Sequence, residues 1–75
     1  MYEKFSKLLV DELQINPKDI TPDAELSNDL GINSIELFDL VALCEEKFNI
    51  TIEDDDIRKL TTVGDVVDYL EKMQK

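Results

Sequence analysis

Apolar residues recur at helical spacing in three stretches of this chain, and no two alternating runs are available to pair as strands, so the fold is confined to packed helices. The first stretch is Tyr2, Phe5, Leu8, Leu9 and Leu13, with Glu3, Lys4, Lys7, Asp11 and Glu12 mostly on the other side. It should end near Gln14, because the residue before Pro17 is pushed out of the helical region. The second runs from Ser34 to Phe48 and sets Leu37, Leu40, Val41, Cys44 and Phe48 on one face. The third opens on a capping-box pattern, Thr62-Val63-Gly64-Asp65, and carries the stripe Val63, Val66, Val67, Leu70 and Met73. Lys72 and Lys75 suit the negative pole at its end. Ile50-Thr51-Ile52 alternates with period two, but a lone strand leaves its backbone unpaired. An extended loop burying Ile50 and Ile52 is expected instead, then a short helix from Asp54 to Lys59 that uses Ile57 and Leu60. The chain of 75 residues has room for one domain, 1–75. The expected architecture is therefore all-α: a small four-helix bundle of three longer helices and one short helix, with a long first loop.

That loop runs from Ile15 to Asn33. Connections of such length inside small domains pack or work, and Ile15, Ile20, Leu26, Leu30 and Ile32 give this one apolar anchors. It reads as a strap across the core, with one turn of helix at Thr21-Pro22-Asp23-Ala24, where a threonine cap precedes an N1 proline.

The strap delivers the chain to Asp29-Leu30-Gly31-Ile32-Asn33-Ser34-Ile35-Glu36-Leu37. Gly31 supplies the freedom a sharp turn needs, and Asn33 with Glu36 three residues on signals a helix start. With Asn33 as the cap, Ser34 takes the first helical position. Its hydroxyl is then not needed for capping and lies by unpaired N–H groups at the positive pole, where a phosphate is favoured. Spacing alone favours an ordinary helix-start serine, since Ser is common at such positions. The outward face of the same helix carries Ile35, Asp39, Ala42 and Glu46, flanked by Glu36 and Glu45. That face is either a docking surface for a basic partner or a solvated acidic face with one stray isoleucine.

Charge narrows the partners. There are 18 acidic and 8 basic residues, a formal net charge of −10. Nucleic acid and anionic membrane surfaces are repelled, and natural partners should present Lys and Arg. The single cysteine, Cys44, cannot form an internal disulfide, and on the core face it reads as a small buried apolar residue. No basic leader followed by an apolar run opens the chain, and no apolar run approaches membrane-spanning length, so a cytoplasmic protein is expected. With no histidine there is no imidazole base and no histidine-based triad. Glu53-Asp54-Asp55-Asp56 lacks the alternating ligands and glycine of a calcium loop, and reads as a solvated acidic helix start, with a diffuse cation site as the alternative. No catalytic residue and no metal site are expected.

The segment Asp29-Leu30-Gly31-Ile32-Asn33-Ser34-Ile35 resembles the D-L-G-x-D-S-L motif of acyl carrier proteins. The likeness continues through Ile20-Thr21-Pro22-Asp23-Ala24-Glu25-Leu26, Glu45-Glu46-Lys47-Phe48-Asn49-Ile50-Thr51-Ile52, Asp54, Asp56 and Thr61 to Leu70, covering nearly the whole chain in order. Two positions depart: Asn33 replaces the family aspartate, and Ile35 the leucine. Asn33 still caps the helix but removes one charge from the surface that modifying enzymes read, and it inclines the reading toward a specialised pathway. The resemblance implies a freestanding carrier, not an enzyme, bearing acyl intermediates as thioesters in fatty acid, polyketide or related biosynthesis. Phosphopantetheine, donated by coenzyme A, would be attached to Ser34 by a phosphopantetheinyl transferase. Glu36, Asp39, Glu45 and Glu46 would meet Arg and Lys of acyl-loading, elongating and acyl-transfer enzymes, with Ile35 as the apolar contact and Asp54 and Asp55 extending the surface. Leu40, Val41, Cys44, Ile52 and Leu60 would line a cavity for the acyl chain. A monomer is implied. Two other classes compete: an unmodified acidic adaptor of the same fold, and a divalent-cation buffer.

Overall fold

A computed structural model describes residues 1–74 of the chain. Helix α1 spans Tyr2–Leu13, α2 Ser34–Phe48, α3 Asp54–Ile57 and α4 Val63–Met73, and a single 3-10 turn covers Pro17–Asp19. Gln14 ends α1 and Asn49 ends α2 in the left-handed region, at φ 56° and 54°. Past each end an amide turns back to a last-turn carbonyl, Ile15 N–H to Leu9 at 3.2 Å and Ile50 N–H to Glu45 at 3.2 Å. The expected start of α4 is present in full: Thr62 accepts from Asp65 N–H, and the Asp65 carboxylate accepts from Thr62 N–H.

One core joins all the elements. Phe5, Leu9, Leu40, Cys44, Val63 and Leu70 are fully buried at its centre, surrounded by Leu8, Val41, Ile57, Leu60, Val66 and Val67. Each large side chain here is worth roughly 1.5–3 kcal/mol against exposure. The three helical stripes are thus legible in the packing, with differences at their ends. Tyr2, Leu13, Leu37 and Phe48 are half-buried at the edge, and Met73, the last residue of α4, is 43% exposed. Lys72 lies in that last turn. Lys75, the second cation expected there, lies outside the described residues.

The long connection is a strap, as its apolar spacing suggested, for Ile20, Ala24, Leu26 and Ile32 are all buried. Tyr2 donates its hydroxyl to the Ile20 carbonyl at 3.1 Å and pins the strap to α1. The helical turn expected at Thr21 to Ala24 is instead a reverse turn, closed by Ala24 N–H to Thr21 at 3.1 Å. The 3-10 turn forms earlier, where Asn16 caps Lys18 N–H at 3.0 Å and Pro17 takes the first position. The reason is tertiary. Gly64 N–H takes the Pro22 carbonyl at 2.9 Å, Val63 N–H takes that of Ala24 at 3.0 Å, and Leu26 N–H goes to Thr61 at 2.9 Å. These bonds draw the strap onto the start of α4, where Glu25 and Thr62 form an isolated antiparallel bridge.

This close approach explains a glycine inside a helix. A Cβ on Gly64 would lie 2.9 Å from the Pro22 carbonyl oxygen, a main-chain atom with nowhere to go. Helix propensity alone favours alanine over glycine by about 1 kcal/mol. Gly64→Ala should nevertheless destabilise the chain by about 1–2 kcal/mol, since the crowding outweighs the gain. Urea unfolding checks the sign, and a stabilised variant would show that the strap sits farther away.

The extended segment after α2 buries Ile52 and leaves Ile50 half-buried. In place of a neighbouring strand, Ile52 N–H finds the Glu45 carboxylate at 2.8 Å. Helix α3 is shorter than its expected span to Lys59. It gives way to tight turns, with Lys59 N–H on Asp56 at 3.0 Å and Leu60 N–H on Ile57 at 3.1 Å, that drop Leu60 into the core. Tyr69 on α4 donates its hydroxyl to Asp56 at 2.8 Å and so ties α3 down. Burial first, then this bond, hold the tyrosine hydroxyl above its usual pKa.

Candidate functional site

The turn before α2 is built almost wholly from main-chain bonds. Asp29 and Leu30 N–H return to the Glu25 carbonyl at 2.9 and 3.1 Å, and Ile32 N–H to that of Leu26 at 2.9 Å. The Asp29 carboxylate reaches back to Glu25 N–H at 2.7 Å, an internal task that its place in the motif did not reveal. Gly31 adopts φ +70° with open space where a Cβ would be, so its requirement is conformational rather than steric. Asn33 is the cap, accepting from Glu36 N–H at 2.9 Å. Ser34 follows as the first residue of α2, exposed to solvent.

A cleft of about 340 Å³ opens beside this serine. Its apolar walls are Leu26 and Ile32 from the strap, Leu37 from α2 and Leu60 from the turn after α3. The cavity expected among Leu40, Val41, Cys44, Ile52 and Leu60 is corrected by this geometry. All five are buried and packed in the core, and of them the cleft shares Leu60 alone. A helical wheel shows which residues face inward but not whether the space between helices is filled.

Packing at that centre sets the chemistry of Cys44. It is 1% exposed, and burial, aided by the neighbouring Glu45 carboxylate, pushes its thiol up to about 12. A thiol so held is inert at neutral pH.

The outward face of α2 carries the expected residues. Ile35 is 76% exposed, and Asp39, Ala42 and Glu46 are exposed along the same face. Glu36 and Glu45 are half-buried at its flanks, and Glu45 spends one carboxylate oxygen on Ile52 N–H. Asp54 and Asp55 are exposed in the first turn of α3. The residue missed was Phe38, which is 57% exposed. Its signal was available, since it stands three residues after Ile35 and so on the same side of the helix. Among the described residues no cluster of His, Cys, Asp and Glu is arranged to hold a metal ion, and no helix is long and apolar enough to cross a membrane.

A family model described as phosphopantetheine attachment site matches residues 3–70. The chain is 40% identical over 73 residues to an acyl carrier protein of Porphyromonas gingivalis, covering 97% of this chain and 94% of that one. It is 38% identical over 71 residues to an acyl carrier protein of Wolinella succinogenes, covering 95% and 93%. Its structure resembles the crystal structure of an acyl carrier protein from Thermotoga maritima with a TM-score of 0.83 at 28% identity, over 95% of this chain and 82% of that one.

Proposed function

Because the chain belongs to the family of phosphopantetheine attachment sites, we propose that it is an acyl carrier modified at Ser34, a substrate of other enzymes and not itself a catalyst. The observation that supports this residue is an exposed serine hydroxyl at the first position of α2, left free by the Asn33 cap. The residues present fit the group. The positive pole of a 15-residue helix favours a phosphate, and the cleft walled by Leu26, Ile32, Leu37 and Leu60 offers apolar cover beside it. When bound, phosphopantetheine supplies a flexible arm ending in a thiol that carries acyl groups as thioesters.

In loading, Ser34 Oγ bonds to the β-phosphorus of coenzyme A, the pyrophosphate P–O bond breaks, and adenosine 3′,5′-bisphosphate leaves. In this reading the hydroxyl proton goes to a base on the transferase, the enzyme that catalyses the transfer. The chain contributes position: a fixed turn, an accessible hydroxyl and a recognisable surface. That surface is the outward face of α2. Ile35 and Phe38 form its apolar contact, and Glu36, Asp39, Glu45, Glu46, Asp54 and Asp55 meet Arg and Lys of the transferase and of acyl-loading, elongating and acyl-transfer enzymes. Glu45 contributes least, because part of its carboxylate is spent within the fold. Exposed ion pairs are individually weak and screened, so partner affinity falls with salt. In this reading the carrier is a monomeric single domain that visits separate enzymes of fatty acid, polyketide or related biosynthesis in the cytoplasm.

The test is the intact mass of the protein after incubation with coenzyme A and a broad-specificity phosphopantetheinyl transferase. A gain of one phosphopantetheine is expected, and an unchanged mass with an active transferase sinks the carrier reading. Asn33→Asp in the same assay should load several-fold faster, because it restores a charge near the positive docking face of the enzyme. Equal rates would show that the transferase does not read this position.

A further inference from the structure

The isolated bridge between Glu25 and Thr62 leaves an outward amide on each side. Its cross-chain bonds are made by the neighbours, Leu26 N–H to Thr61 and Val63 N–H to Ala24, so the Glu25 and Thr62 amides face away from one another. Each ends on a carboxylate. Asp65 accepts from Thr62 N–H at 3.1 Å as part of the α4 cap, and Asp29 accepts from Glu25 N–H at 2.7 Å. Asp65 has a helix to start, whereas Asp29 lies in the turn that follows Glu25 and starts none.

Asp29 closes that turn in both directions. Its amide returns to the Glu25 carbonyl at 2.9 Å while its carboxylate holds the Glu25 amide, a reciprocal pair of the kind that fixes a helix start. Leu30 N–H shares the same carbonyl at 3.1 Å, and the Asn28 side chain donates to the Glu25 carboxylate. Four residues after Asp29, Asn33 caps α2 and Ser34 follows.

We propose that Asp29 is a positioning residue for the loading of Ser34, acting through this turn and not on the enzyme, an inference that rests on the carrier reading above. The first amide of a helix has no partner within it. Helix α2 therefore grips Ser34 from its C-terminal side, and the turn sets it from the other. Ile32, 3% exposed and bonded to Leu26, seats the near end of the connection, and Asp29 seats the far end. Transfer from coenzyme A needs the serine oxygen held in line with the pyrophosphate, and a displaced nucleophile slows such a step without changing how the surface is bound. The bond from Glu25 is exposed, so breaking it frees the turn but leaves no amide buried and unpaired. The body of the bundle is expected to survive its loss.

The role asks for an acceptor oxygen, and this sets it apart from a charge read by a partner. Asp29→Asn keeps the acceptor and removes the charge, while Asp29→Ala removes both. Steady-state loading of the full chain by a broad-specificity phosphopantetheinyl transferase and coenzyme A, followed by intact mass, should show kcat lowered roughly tenfold in Asp29→Ala with KM for the carrier within about twofold of the parent. Asp29→Asn should stay within about threefold of the parent in both constants. Amide exchange supplies a second reading. In Asp29→Ala the Glu25 amide should exchange roughly tenfold faster, while the Leu9 and Leu70 amides of the core helices keep the parent's rates. If the two variants raise KM alike, the transferase reads Asp29 as a charge and the positioning role is overturned. Loading of Asp29→Ala at the parent's rate overturns it as well, and so does exchange that quickens throughout the core, which makes the loss one of general stability. A parent chain that never loads overturns the carrier reading and the positioning role with it.

Discussion

A Ser34→Ala chain should take up no phosphopantetheine under conditions that load the parent fully, and should lose less than about 0.5 kcal/mol of stability. Both halves follow from the turn. The cap bond belongs to Asn33, so removing the Ser34 hydroxyl breaks no bond that starts α2. Alanine is moreover the better helix former. Loss of loading is complete because the other serines are poor substitutes. Ser6 Oγ is buried, and Ser27 is exposed in a turn rather than at the head of a helix. Mass spectrometry and urea unfolding on the two proteins measure both halves, and residual loading of the variant would move the site to Ser27, which lines the same cleft.

The second large effect lies in alkaline solution. A thiol whose value is raised in the folded state, here to about 12 for Cys44, holds its proton more tightly when folded than unfolded. Its contribution is therefore fully present below the unfolded value near 8.5 and is lost as pH climbs toward the folded one. Within that window stability should fall by about 1.4 kcal/mol per pH unit from this residue alone. Lysines and tyrosines titrate in the same range, so the measurement is a comparison. The stability of the parent and of Cys44→Ala, taken by urea unfolding at several values from pH 8 upward, should converge and then cross within about one to two pH units above 8.5, as the thiol ionises in the unfolded chain but not in the folded one. At pH 8 the variant is weaker by roughly 1–2 kcal/mol for its cavity. A difference that stays constant with pH would mean that Cys44 ionises without unfolding the core.

What could be read from the sequence was local. The caps at Asn33 and Thr62, the positive φ at Gly31 and the three apolar stripes depend on residues within one or two turns of each other, and each is found where its spacing put it. What could not be read was settled at a distance. Whether Thr21 to Ala24 coils depends on Val63 and Gly64, some 40 residues on, which claim its carbonyls. Glu45 stands at the flank of the outward face on the wheel, and only the course of the chain after α2 reveals that it serves Ile52. The acyl cavity was misplaced for a related reason, since facing inward and leaving a gap are different properties. Phe38 was local and legible, three residues after Ile35, but it stands among Glu36, Asp39 and other acids of a face whose pattern is dominated by charge.

The strap's dependence on the head of α4 also orders events during synthesis. Residues 22 to 26 leave the ribosome well before residues 61 to 64, yet their main-chain groups find partners there. Until the last quarter of the chain emerges, the segment that presents Ser34 lacks part of its hydrogen bonding and of its apolar cover. The turn before Ser34 thus reaches its final shape late, together with the rest of the domain, in one cooperative step. If Ser34 is the loading site proposed above, a chain that still lacks the head of α4 should load more slowly than the finished domain.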